Sequence, residues 1–144
     1  MSQPLPLENH LLSAIRNGST GDETFNSLAM RVFQHQFQHN TPYQNYCRAL
    51  GKSPDNINHW HDIPAVPTDV FKLHDTPILS FPPEKSRHTF TTSGTTSEVK
   101  GQHHFPSLTL YEQSVINAWK QRDLPRPNHA IFLTATPGQA PMSS

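Results

Sequence analysis

The densest concentration of chemically capable side chains lies between His88 and Gly101. Thr92, Ser93, Thr95, Thr96 and Ser97 offer hydroxyl donors, Gly94 and Gly101 remove side-chain bulk, and Lys100 adds a mobile cation. Glycine reaches backbone angles that other residues resist, so successive N–H groups in such a loop can turn toward one anion. Hydroxyl and ammonium donors strengthen that hold on phosphate oxygens. The order of a Walker A loop, in which glycine and four further residues precede glycine, lysine and serine or threonine, is absent. A surface turn rich in serine, threonine and glycine has the same bare composition. The Lys100–Gly101 pair at the far end, and the run Pro67, Thr68, Asp69, Val70, Phe71, Lys72 upstream, favour nucleotide binding over that plainer reading.

The elements that must position this stretch can be read from hydrophobic spacing. Leu7, Leu11, Leu12 and Ile15 suit a short helix ending at Gly18. Phe25, Leu28, Ala29, Val32, Phe33 and Phe37 recur at helical spacing, with Asp22 expected as N-cap and Pro42 shortly beyond the end. A further helix is expected over 43–50, presenting Tyr43, Tyr46, Cys47 and Leu50, with Gly51 closing it. The proline-rich stretch 53–86 predicts an extended path with short strands near 70–73 and 78–81. A strand over 87–92 then enters the loop and one over 102–105 returns from it. Leu108, Tyr111, Val115, Ala118 and Trp119 share a helical face behind Ser107 as N-cap, and 130–134 reads as a last strand after Pro125 and Pro127. Strands interleaved with a long helix predict an α/β or α+β fold.

Composition sets the outer limits. At 144 residues the length suits one domain. Eleven basic and eleven acidic residues leave no electrostatic footprint for nucleic acid. One cysteine excludes an internal disulfide framework and fits a reducing compartment. With no signal-peptide pattern and no apolar run of membrane-spanning length, the expectation is a cytoplasmic protein without a membrane span. An apolar fraction of 33% and fourteen prolines leave little core material, so the chain alone is expected to be marginal as an independent domain.

The segment from Thr92 to Gly101 resembles the phosphate-loop signature of the adenylate-forming (AMP-binding) superfamily, whose usual pattern is Thr-Ser-Gly-Thr-Thr-Gly-x-Pro-Lys-Gly. Thr92, Ser93, Gly94, Thr95, Thr96, Lys100 and Gly101 match it without gaps, whereas Ser97 stands where glycine is usual and Val99 where proline is usual. The stretches 62–72 and 110–114 are similar to the acyl-protein synthetases of LuxE type, and this similarity runs from Trp60 onward and more faintly through the helices before it. The resemblance implies that N-terminal helices (1–52) and a proline-rich extended stretch (53–86) precede a strand, phosphate loop and strand (87–106), then a helix and strand (107–144). These would form the incomplete amino-terminal part of a layered large domain in a longer enzyme.

The same resemblance implies an activity. The intact enzyme would use ATP and Mg²⁺ to activate a fatty acid or other carboxylic acid as an acyl adenylate, then transfer the acyl group to a protein cysteine. An acyl-accepting reductase or carrier protein would be its partner. Thr92, Ser93, Gly94, Thr95, Thr96, Ser97, Lys100 and Gly101 would hold the nucleotide, with Lys100 as the catalytic residue and His103, or its neighbour His104, lining the pocket. A magnesium-binding Thr-Glu motif, a ribose-gripping aspartate, a catalytic lysine and the acceptor cysteine would all lie beyond this chain, so the chain alone is expected not to turn over. A phenylacetate-type acyl-CoA ligase shares the loop but uses CoA. A non-catalytic remnant or interaction domain is the alternative outside enzymes.

Other candidates are plainer. His35 and His39 lie one helical turn apart, and His59 and His61 flank Trp60. A helical pair can grip a metal, but no third ligand is identifiable and Gln36 stands where a zinc-protease helix needs glutamate, so no metal site is assigned. Cys47 falls on the apolar face of a helix, where a small buried thiol is the ordinary explanation rather than a nucleophile. Phe33, Phe37, Trp60 and Trp119 read as core or interface.

Overall fold

A computed structural model of the chain describes residues 7–18, 21–92 and 99–121. Four helices, α1 (Leu7–Asn17), α2 (Asp22–His39), α3 (Thr41–Ala49) and α4 (Thr109–Gln121), accompany a hairpin of two strands, β1 (His88–Thr91) and β2 (Gln102–Phe105). Short 3₁₀ turns at Trp60–Asp62, Thr68–Lys72 and Pro83–Lys85 punctuate the segment between α3 and β1. The described architecture is therefore mixed, four helices and one small antiparallel sheet.

Local chemistry sets the helix boundaries. Gly21, not Asp22, occupies the N-cap of α2; it has no side chain to cap with, and Asp22 and Glu23 fall inside the first turn, where their charge complements the helix dipole. Asn40 ends α2 and starts α3, its Oδ1 accepting the Tyr43 N–H at 3.1 Å. Pro42 opens α3, where its missing N–H costs nothing, and does not merely follow α2. At the other end the Lys52 N–H donates to the Cys47 carbonyl and the Gly51 N–H to the Arg48 carbonyl, both at 2.9 Å. This closing pattern requires the left-handed backbone that Gly51 adopts at φ +66°.

The core is small and sits between α2, α3 and the segment that follows them. Phe33, Tyr43, Cys47 and Ile57 are buried, with Met30, Phe37, Tyr46, Ile63 and Val66 packed around them. The rings of Phe37 and Tyr43 meet Phe33 edge-on at 6.0 and 6.2 Å, an arrangement that suits the aromatic quadrupole. Side-chain hydrogen bonds strap the proline-rich segment onto this core. The Tyr43 hydroxyl donates to the Pro64 carbonyl at 2.7 Å and the Tyr46 hydroxyl to the Ala65 carbonyl at 3.0 Å. Asn26 donates to the Asn58 carbonyl and accepts the Trp60 N–H at 2.7 Å. These bonds satisfy backbone groups that no sheet partner reaches.

The strands expected near 70–73 and 78–81 are not formed. Residues 68–72 wind into a 3₁₀ turn that starts at Pro67 and carries an Asp69–Lys72 ion pair at 2.7 Å. Residues 78–81 lie between Pro77 and Pro82 without pairing. Proline at these flanks removes ladder donors, which disfavours a strand there. The expected helix behind the hairpin is present as α4. Ser107 caps it from one residue further out than expected, its Oγ accepting the Thr109 N–H at 3.1 Å. Its apolar face is only partly covered, with Val115 50% and Trp119 49% exposed. The element expected at 130–134 lies outside the described residues, as do Pro125 and Pro127.

Phe33 is 1% exposed and carries the packing between α2 and α3. Phe33→Ala is expected to lower unfolding stability by about 3–5 kcal/mol in a urea titration, as deletion of a large buried ring does.

Candidate functional site

The hairpin delivers both ends of the loop to one place. β1 and β2 pair antiparallel with His88 opposite Phe105, Thr89 opposite His104, Phe90 opposite His103 and Thr91 opposite Gln102. That register runs one step further, to Thr92 and Gly101. The Thr92 N–H donates to the Gly101 carbonyl at 3.0 Å, and the Gly101 N–H donates back to Thr92 Oγ1 at 3.0 Å. Thr92 and Gly101, which precede and follow 93–100 in the sequence, are therefore paired to each other. Because Thr92 Oγ1 accepts from Gly101, its own hydroxyl hydrogen remains available to a further oxygen.

Gly101 is buried, but not because it needs an unusual backbone. Its φ lies outside the left-handed region, and an added Cβ would meet Phe71 Cβ and the Thr92 side chain at 3.4 Å. The constraint at 101 is close packing, which corrects the expectation that this glycine serves backbone freedom. Phe71, from the 3₁₀ turn Thr68–Lys72, backs the loop's exit, and its ring also contacts His103 at 4.4 Å between centroids. Behind the hairpin, Phe90 packs on Phe105 at 5.1 Å and on Tyr111 of α4 at 5.6 Å. α4 is braced in turn against α1 through Asn117 to the Ile15 carbonyl and Arg16 to Gln113.

The structure brings Thr92, Lys100, Gly101 and His103 to the Thr92–Gly101 end of the hairpin, away from His88 and Phe105. Ser93, Gly94, Thr95, Thr96 and Ser97 lie outside the described residues. Lys100 is exposed, and its carbonyl accepts a hydrogen bond from His74 Nε2 at 2.9 Å. His103 is half-buried against Phe71. His104 has its Nδ1 3.1 Å from Thr89 Oγ1 and 3.3 Å from Ser86 Oγ, which ties it across the sheet to the β1 side. Sequence reading missed His74 and the backing role of Phe71. The run Pro67–Lys72 was the available signal, but nothing in its spacing says that it touches residue 101.

The remaining candidates are settled by their surroundings. Cys47 is fully buried in the α2–α3 core, and burial holds its thiol above the ordinary range. Tyr43 beside it is also pushed up, chiefly by burial and then by its hydrogen bond to Cys47. The rings of His35 and His39 lie 4.5 Å apart, tilted by 47°, and burial, then the charge of His39, lowers the His35 pKa. His61 stacks on Trp60 at 3.5 Å and on His59 at 5.0 Å. Among the described residues no group of three or more His, Cys, Asp or Glu side chains converges to hold a metal. The described side chains do not make a Mg²⁺ site. No described helix is long and apolar enough to cross a membrane.

A second feature lies beside the loop's backing. A groove of about 570 Å³ is lined by Phe25, Trp60, Ile63, Val66, Phe71 and Phe81 among others, with no charged side chain. It suits apolar matter rather than phosphate.

The sequence pattern of the acyl-protein synthetase family LuxE matches residues 16–123, and the chain belongs to that family. It is 31% identical over 68 residues to the long-chain-fatty-acid–luciferin-component ligase of Vibrio harveyi. That alignment covers 47% of this chain and 17% of the relative, so the chain spans a minor part of the protein it matches. No solved structure matches the chain.

If Cys47 is a core residue and not an acyl acceptor, it will resist a thiol reagent in the folded chain and react at the rate of a free thiol in urea. Rapid labelling of the folded chain at neutral pH would contradict this placement, because a buried thiol with a raised pKa offers little thiolate.

Proposed function

We propose that this chain supplies the phosphate-holding loop of an ATP-dependent fatty-acid ligase of the acyl-protein synthetase type. The observation that carries the reading is the Thr92–Gly101 closing pair, which frames 93–100 inside the family-matched region. In this reading a fatty-acid carboxylate oxygen attacks the α-phosphorus of ATP. The bond to the bridging oxygen breaks, and pyrophosphate leaves. A thiolate then attacks the acyl carbonyl of the adenylate and releases AMP.

The protein's work in the first step is positioning and charge stabilisation, since the leaving pyrophosphate gathers negative charge. Lys100 is the cation placed to meet that charge, and Thr92, with Ser93, Thr95, Thr96 and Ser97, supplies hydroxyl donors around it. Gly94 lets the chain approach the phosphates closely. His103 lies at the base of the site. Mg²⁺ would accompany the nucleotide, held by groups other than the described side chains. The acceptor thiol belongs outside the α2–α3 core, since Cys47 is buried there. A reductase or carrier protein is the proposed recipient of the acyl group.

Two measurements test the reading. Equilibrium dialysis with radiolabelled ATP is expected to show binding that Lys100→Ala weakens by roughly tenfold or more, the loss expected for one charged hydrogen bond. In the enzyme carrying this segment, radiolabelled fatty acid should label protein only with ATP, and hydroxylamine should remove the label. Adenylate formation without protein labelling would move the acceptor to CoA. No ATP binding at all would leave a non-catalytic domain.

A further inference from the structure

We infer that His74 is a positioning residue for the loop, acting through the Lys100 backbone; this rests on the nucleotide reading of the same site. The carbonyl of Lys100 can only accept, so His74 must present an N–H at Nε2 across the 2.9 Å contact. The bond joins the exit of the loop to a segment 26 residues upstream. The same segment places Phe71 against the position a Cβ would take at Gly101. Lys100 and Gly101 are thus held from three directions: by Thr92 through two hydrogen bonds, by Phe71 through packing, and by His74 through the carbonyl that precedes the Gly101 amide.

The chemical consequence concerns the lysine. A lysine side chain has four rotatable carbons, and its use as a phosphate ligand depends on where its backbone is fixed. Thr92 and Phe71 both act on Gly101, one residue past it. His74 alone among these acts on Lys100 itself. Without that bond the peptide between Lys100 and Gly101 keeps its Gly101 N–H partner but loses its carbonyl partner, and it can rotate about the remaining anchor. His74 touches neither nucleotide nor acyl group; it sets the starting point from which Lys100 reaches. The Asp69–Lys72 ion pair, in the 3₁₀ turn just before His74, keeps the second local cation occupied.

The test compares His74→Leu, which fills space without a donor, with His74→Gln, which restores an N–H at similar reach. ATP affinity of the full chain and the ¹⁵N–¹H resonance of Gly101, the amide directly joined to the Lys100 carbonyl, are both followed. His74→Leu is expected to weaken ATP binding by about three- to tenfold, the range of one neutral hydrogen bond. It should also shift the Gly101 resonance while leaving the melting temperature near that of the native chain. His74→Gln should recover affinity to within about twofold and return the resonance, on the same single-bond scale. Unchanged affinity in His74→Leu, a Gln variant as weak as the Leu variant, or a Gly101 resonance that does not move would each overturn the proposal. If the native chain binds no ATP, the nucleotide reading fails and His74 loses its role in positioning. The Gly101 resonance then decides the tether by itself.

Discussion

The described site depends on the paired hydrogen bonds between Thr92 and Gly101. A two-stranded hairpin is marginal in water on its own, so its end must be fixed by something beyond the ladder. Here one bond is backbone to backbone and the other recruits the threonine side chain. Using the hydroxyl as acceptor ends the regular ladder without leaving the Gly101 amide unpaired in a buried position. The same side chain then marks where sheet stops and loop begins. Phe71 stands where a Cβ added at Gly101 would meet it at 3.4 Å, so shape as well as polarity bears on this position.

The rest of the molecule holds that hairpin with little apolar material. Four buried residues form the centre, and much of the remaining stability is carried by edges: tyrosine hydroxyls on proline-segment carbonyls, and an asparagine that bridges α2 to Trp60. Such bonds contribute about 1 kcal/mol each and are costly when broken in a buried setting. The buried indole N–H of Trp60 lacks a partner among the described residues, and it lines the apolar groove that Phe71 also borders. The half-exposed face of α4, with Tyr111, Val115, Ile116 and Trp119, adds to the apolar surface that the described residues leave uncovered.

The sequence was most legible where local rules decide the outcome. The helices α1 and α2 followed from hydrophobic spacing, the return strand at 102–105 was expected from its place after the loop, and Gly51 announced the end of α3. Asp22 and Ser107 were each assigned one position away from where they act: Asp22 falls inside the first turn behind Gly21, and Ser107 reaches the Thr109 N–H from one residue further out. The strand expectations at 70–73 and 78–81 failed for a different reason. Apolar residues between prolines look extended, but the partner that would make them a strand is a matter of tertiary structure. His74 was invisible for the same cause: its ligand is a carbonyl 26 residues away, which no local pattern encodes.

Thr92 and Gly101 form the pair that closes the hairpin, and amide hydrogen exchange reads that pair. Both N–H groups should exchange at least about tenfold more slowly than an unstructured chain, as amides held in a cooperative unit do. Exchange of Thr92 and Gly101 at unprotected rates, while β1 and β2 stay protected, would show that the pair is open and that the site has no fixed base.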